Sequence, residues 1–117
     1  MKARLKHIDA NALDFQSFQP EDPECFGFWL NVAVGAAEKD SADDFQVFVC
    51  NRAWLERHGG APPDPSGRHL LLDGTYDTLS ARALLEARID ECHGESWAEV
   101  VAELSKFGLW EFENYKP

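Results

Sequence analysis

Three cysteines, four histidines and a pair of C-terminal glutamates are the side chains of greatest chemical reach in this 117-residue sequence. Cys92 and His93 are adjacent, which is as near as the chain comes to a thiolate–imidazole pair. Neighbours at a helix end project about 100° apart and do not share a proton, so Cys92 reads as a packing residue. A zinc site would need Cys50, His69, Cys92 and His93 to converge from separate elements, and no two of them stand at a recognised ligand spacing. Glu111 and Glu113 suggest a carboxylate dyad, but at i and i+2 of an extended segment they form a solvated face. The sequence contains no glycine-rich phosphate loop, no C-x-x-C, no H-E-x-x-H and no G-x-S-x-G. The expectation is a protein without a catalytic, metal or cofactor site.

The elements that must position these residues centre on two alternating runs within residues 26–51, read as a β-hairpin. In the first run Phe26, Phe28, Leu30, Val32 and Val34 share one face, and Gly27, Trp29, Asn31 and Ala33 the other. In the second, Phe45, Val47 and Val49 share a face opposite Gln46, Phe48 and Cys50. The wholly apolar face requires a cover, and the mixed face suits partial cover or a partner. The linker between the runs, AAEKDSADD, is polar and acidic and is expected in solvent. Ahead of the hairpin, residues 2–9 read as an edge or solvent-facing strand with Lys2, Arg4 and Lys6 alternating with Ala3, Leu5 and His7, followed by a polar loop stopped by Pro20 and Pro23.

After the hairpin, residues 52–58 read as a short helix with Asn51 as N-cap, Trp54 and Leu55 as core anchors and Gly59-Gly60 as its stop. A strand follows over 68–72. A longer helix starts at Asp77, carries Ala81, Leu85, Ile89 and Cys92 at helical spacing, and ends at Gly94 in a left-handed position. Ser96 and Glu99 form a capping box for a last helix with Trp97, Val100, Val101, Leu104 and Phe107 on one stripe, closed by Gly108. Beyond it Trp110 and Phe112 are expected to lie on the body with Glu111 and Glu113 turned outward. The whole is one α+β domain, a mostly antiparallel sheet with helices packed on one face.

With 21 acids against 11 bases, the net charge of −10 disfavours nucleic acid and an anionic membrane, because both are held through Lys and Arg. It favours a basic protein partner, or serves solubility alone. Three cysteines far apart argue for reduced thiols, and the charged N-terminal segment has no apolar leader. A cytoplasmic location is the expectation.

Four blocks carry a resemblance: PEDPECFGFWL, VCNRAWL, GRHLLL and CHGESWAEVVAELSKFGLWEFENY. The terminal block is the most specific, with Gly94, Glu95, Ser96, Trp97 and Glu99 followed by Leu104, Ser105, Gly108, Trp110, Glu111, Phe112, Glu113 and Tyr115. Together they resemble the immunity protein 8 family of bacterial polymorphic toxin systems over nearly the whole chain. The resemblance implies a cytoplasmic α+β protein that binds and neutralises a cognate secreted toxin, with no catalysis and no cofactor. The toxin-binding candidates come from this sequence itself: Trp29 and Phe48 as an aromatic centre, Glu38, Asp40, Asp43 and Asp44 as an acidic rim, and Glu111 and Glu113 as further acids. For Trp29 and Phe48 the competing reading is that a helix covers them. Two other classes stay open: a small enzyme using Cys50, Cys92 or a histidine, and an oligomeric domain in which Trp29 and Phe48 meet a symmetry mate.

Overall fold

A computed structural model of the chain describes residues 1–113; Tyr115 of the terminal block lies outside them. The hairpin is the centre of the sheet. Strands β3 (Gly27–Ala36) and β4 (Asp43–Cys50) pair antiparallel, with Trp29 opposite Phe48, Asn31 opposite Gln46 and Val32 opposite Phe45. Phe26, Leu30, Val32, Val34, Phe45, Val47 and Val49 are all buried, as their alternation requires. The linker is shorter than its polarity suggests. Ala36, Asp43 and Asp44 belong to the strands, which leaves 37–42 as the turn, because polar side chains mark a solvated face and do not prevent backbone pairing.

Strand β1 (Ala3–Ala10) pairs antiparallel with β3 and carries an irregularity between Leu5 and His7. Strict alternation would turn His7 inward; the bulge reverses the parity, so Leu5 and then Ile8 pack on the core while His7 is exposed. Past Ala10 the expected loop contains a second hairpin. Asn11 and Ala12, both at positive φ, connect β1 to β2 (Leu13–Asp14) through a two-residue turn. The sheet order is β2-β1-β3-β4-β5, where β5 (Leu70–Leu71) runs parallel to the end of β4 and β6 (Leu109–Trp110) antiparallel to its start. The strand expected over 68–72 is therefore two residues long, since Arg68 and His69 are engaged by the preceding loop.

Helices α2 (Thr78–Asp90) and α3 (Trp97–Leu104) cover the apolar face. Ala81, Leu85 and Ile89 of α2 and Val100, Val101 and Leu104 of α3 join the buried strand residues in one core, with Cys92 and Phe107 just beyond the helix ends. Asp77 caps α2 by accepting from the Ser80 N–H. Gly94 does not end α2 in a left-handed conformation: the C-cap is Glu91, and Gly94 is absent from the positive-φ positions. Its lack of a side chain has another cause, since a Cβ there would sit 2.6 Å from Glu99 Cβ. That proximity belongs to the capping box, in which Ser96 Oγ accepts from the Glu99 N–H and Glu99 Oε2 from the N–H groups of Ser96 and Glu95. Ser96→Ala is expected to lower stability by about 0.5–2 kcal/mol in chemical denaturation, and an unchanged midpoint would mean that α3 does not depend on this cap.

The six-residue helix α1 (Arg52–Arg57) lies against one end of the opposite face. Trp54 packs directly over Gly27, where a Cβ would come within 2.6 Å of the indole. Trp54 and Leu55 are half-buried and neither joins the main core; it is Trp54 that covers the sheet's second face. The N-cap Asn51 does more than cap. Its buried amide accepts from the N–H groups of Trp54 and Phe26 and donates to the carbonyls of Glu24 and Gly74, tying three segments together.

Candidate functional site

Because α1 covers only the Trp29/Phe48 end of the second face, the rest of that face is open. Asn31, Ala33, Asp44 and Gln46 of the central hairpin line an open cleft of about 890 Å³, with His7 and Asp9 of β1 on one side and residues 109–111 and Glu113 on the other. Strand alternation places these side chains together: Asn31 and Gln46 are cross-strand partners, and Asp9 is opposite Asn31 on β1. Gln46 Nε2 donates to Asn31 Oδ1 at 3.4 Å, and Asn31 Nδ2 donates to Asp9 Oδ1 at 3.0 Å. The Asn31 amide, with the Ala12 N–H and the neighbouring His7, holds the Asp9 carboxyl below its usual range and outweighs the opposing effect of burial.

The cleft's other wall is fixed by reciprocal bonds. The Glu111 N–H donates to the Asp44 carbonyl at 2.9 Å, and the Asp44 N–H donates to Glu111 Oε1 at 3.1 Å. Trp110, half-buried, is held by its indole N–H, which donates to Asp43 Oδ2 at 2.9 Å; the same oxygen accepts from the Trp97 indole at 2.9 Å. Glu113 is turned back onto Arg68, whose Nη2 donates to Glu113 Oε2 at 2.9 Å. Arg68 also donates through Nε to Asp64 Oδ2 at 2.8 Å, and its Nη1 reaches the Gly108 carbonyl at 3.4 Å. Its guanidinium pulls the carboxyls of Asp64 and Glu113 below their usual ranges.

The predicted candidates therefore separate. Phe48 is buried at 3 % exposure between Trp29 (ring centroids 5.3 Å apart) and Trp54 (4.9 Å), so a helix covers it and it offers no surface to a partner. Trp29 is half-buried beside it. Glu38 and Asp40 are exposed on the 37–42 turn, whereas Asp43 is an acceptor in the protein's own framework. Asp44 and Glu111 are exposed and meet in the cleft. Glu113, expected to face outward, is an ion-pair partner, and Phe112, expected on the body, is 43 % exposed and packs edge-on against Trp110. The alternation of Asn31 and Gln46 signalled the polar strip; nothing in the local sequence signalled Arg68.

The residues of greatest chemical reach are not gathered. Cys50 and Cys92 are buried, and burial pushes both thiols up to about 11, which leaves them inert at neutral pH. His93 is exposed while Cys92 Sγ is directed at the Arg88 carbonyl, and His69 Nδ1 contacts the Gly67 carbonyl. Among the described residues no three His, Cys, Asp or Glu side chains are grouped to hold a metal ion, and no helix is long and apolar enough to cross a membrane.

Fold and cleft together define a small α+β protein with one sheet face closed by helices and the other left partly open as a polar, acid-lined surface. The chain belongs to the Immunity protein 8 family, whose model matches residues 3–115. That membership implies an immunity protein directed against a toxin. No curated protein and no solved structure matches the chain.

Proposed function

We propose that this protein neutralises a cognate secreted toxin inside the producing cell by binding it in a stoichiometric complex, without catalysis. The observation that carries the reading is the family match over residues 3–115. The net charge of −10 and the open acidic cleft support a partner with a basic surface. An inhibitor must reach its toxin before damage occurs, and complementary charge raises association rates by roughly 10–10³ over a neutral pair. The test uses the cognate toxin domain, sought in the reading frame beside this gene. Purified protein and toxin domain are expected to form a one-to-one complex by native mass spectrometry, with toxin activity falling linearly to zero at equivalence and an association rate that drops as salt rises. Protection by substoichiometric protein would indicate turnover, and no complex with protection intact would end the binding reading.

A further inference from the structure

We propose that the open cleft on the second sheet face is the toxin's docking site, and that it receives a basic segment of the toxin led by an arginine side chain; this rests on the immunity reading above. The two faces of the sheet are unequal. The first is closed by α2 and α3, whereas the second is covered by α1 only around Phe48 and Gly27. What remains uncovered is a concavity of about 890 Å³, roomy enough for more than one long side chain.

Its charge specifies the occupant. Four carboxylates line it, those of Asp9, Asp44, Glu111 and Glu113, and among the described residues no lysine or arginine does. Arg68 already neutralises Glu113 from the margin, and His7 stands 3.6 Å from Asp9. Asp44 and Glu111 form no ion pair among the described residues, so the wall they share presents uncompensated negative charge.

The framing favours a guanidinium over a compact cation. Asp44 and Glu111 stand opposite one another where β4 and β6 pair, and a planar guanidinium pairs with carboxylate oxygens in a fork. The Trp110 ring takes no part, because Trp110 is paired with Phe45 and packs with it on the helix-covered face. A lysine ammonium matches only the charge. A metal ion fits poorly, because among the described residues no three carboxylate or imidazole side chains are grouped to hold one. The floor needs little ordering on binding: Gln46, Asn31 and Asp9 are already joined by hydrogen bonds, and Asp44 and Glu111 are locked by their backbones.

The experiment has two arms. In the first, Gln46→Arg places the protein's own guanidinium on the exposed floor of the cleft, while Glu56→Gln on exposed α1 makes the same change in net charge elsewhere. Gln46→Arg is expected to weaken binding of the cognate toxin domain by about tenfold or more, with Glu56→Gln within about twofold of wild type. Equal losses for the two variants, or none for Gln46→Arg, would overturn the cleft as docking site while leaving the immunity reading intact. Failure of wild type to bind the toxin domain would instead remove that reading.

In the second arm the 15N-labelled full chain is titrated with blocked arginine, blocked lysine, blocked glutamate and magnesium chloride. Amide shifts at Asn31, Ala33, Asp44, Gln46 and Glu111, larger for blocked arginine than for the other three, are expected. Equal shifts with magnesium or lysine would show unspecific charge attraction and would overturn the arginine assignment.

Discussion

Replacing Arg68 by Met is expected to lower stability by about 3–5 kcal/mol, a large share of what holds so small a domain together. The guanidinium is the meeting point of Asp64, which is only 5 % exposed, Glu113 and the carbonyls of Ser105 and Gly108. Met keeps most of the packing of the aliphatic stem, so the loss reports the charge and its hydrogen bonds. Asp64 would retain the Arg68 backbone N–H at 3.0 Å but no counter-charge. The pH dependence gives an independent check. Arg68 holds the carboxyls of Asp64 and Glu113 below their ordinary values, so the stability they contribute is fully present above the ordinary carboxylate range and is lost as pH falls through the folded values. The gap between wild type and Arg68→Met should be widest near neutrality and should narrow below about pH 4. Urea denaturation at several pH values measures both, and a loss under about 1 kcal/mol at pH 7 would place the network among solvent-screened surface pairs.

That Arg68 carries such weight could not be read locally. Its partner Glu113 is 45 positions away, and a lone arginine after a Pro- and Gly-rich loop has no periodic context. Features set by neighbours in sequence were legible: the apolar face of β3 and β4, the Asp77 and Ser96 caps, and the buried stripe of α2 all follow from spacing. Features set by chain crossings were not. The side of the sheet on which α1 lands is fixed by Asn51, whose amide reaches Glu24 and Gly74, so the cover over Phe48 depends on contacts that alternation does not encode. The β1 bulge is likewise silent in the sequence, because one inserted residue simply exchanges His7 for Ile8 at the core.

The cleft falls between these cases. Period 2 places Asn31 and Gln46 on the mixed face, and the sequence supplies Asp44 and Glu111 as acids without a fixed location. Only the pairing of β6 with the start of β4 brings Glu111 to Asp44. The polar floor was therefore visible in the sequence, and the acidic wall that closes it was not.

Asp43→Ala is expected to lower stability by about 2–4 kcal/mol, because two indole N–H donors lose one charged acceptor at the same time. Trp97 opens α3 and Trp110 lies in β6, so Asp43 Oδ2, at 2.9 Å from each indole nitrogen, holds both elements to the base of the hairpin. A carboxylate beside a turn reads in sequence as a solvated charge free to meet a partner, yet here its half-buried oxygen is consumed within the fold. Charge reversal at Asp43 would consequently disturb the framework as well as any steering. Asp40, exposed on the adjacent turn, is the matched control, and Asp40→Ala should stay within about 0.5 kcal/mol of wild type. Asp43→Asn keeps a neutral oxygen acceptor and should fall between Asp43→Ala and wild type, since an uncharged acceptor gives roughly half the strength. The measurements are urea denaturation and tryptophan emission, which should shift to the red in Asp43→Ala before unfolding begins, as the indoles gain water. Equal stability and emission for Asp43→Ala and Asp40→Ala would show that the paired indole bonds contribute nothing and would return Asp43 to the set of charges available to a toxin.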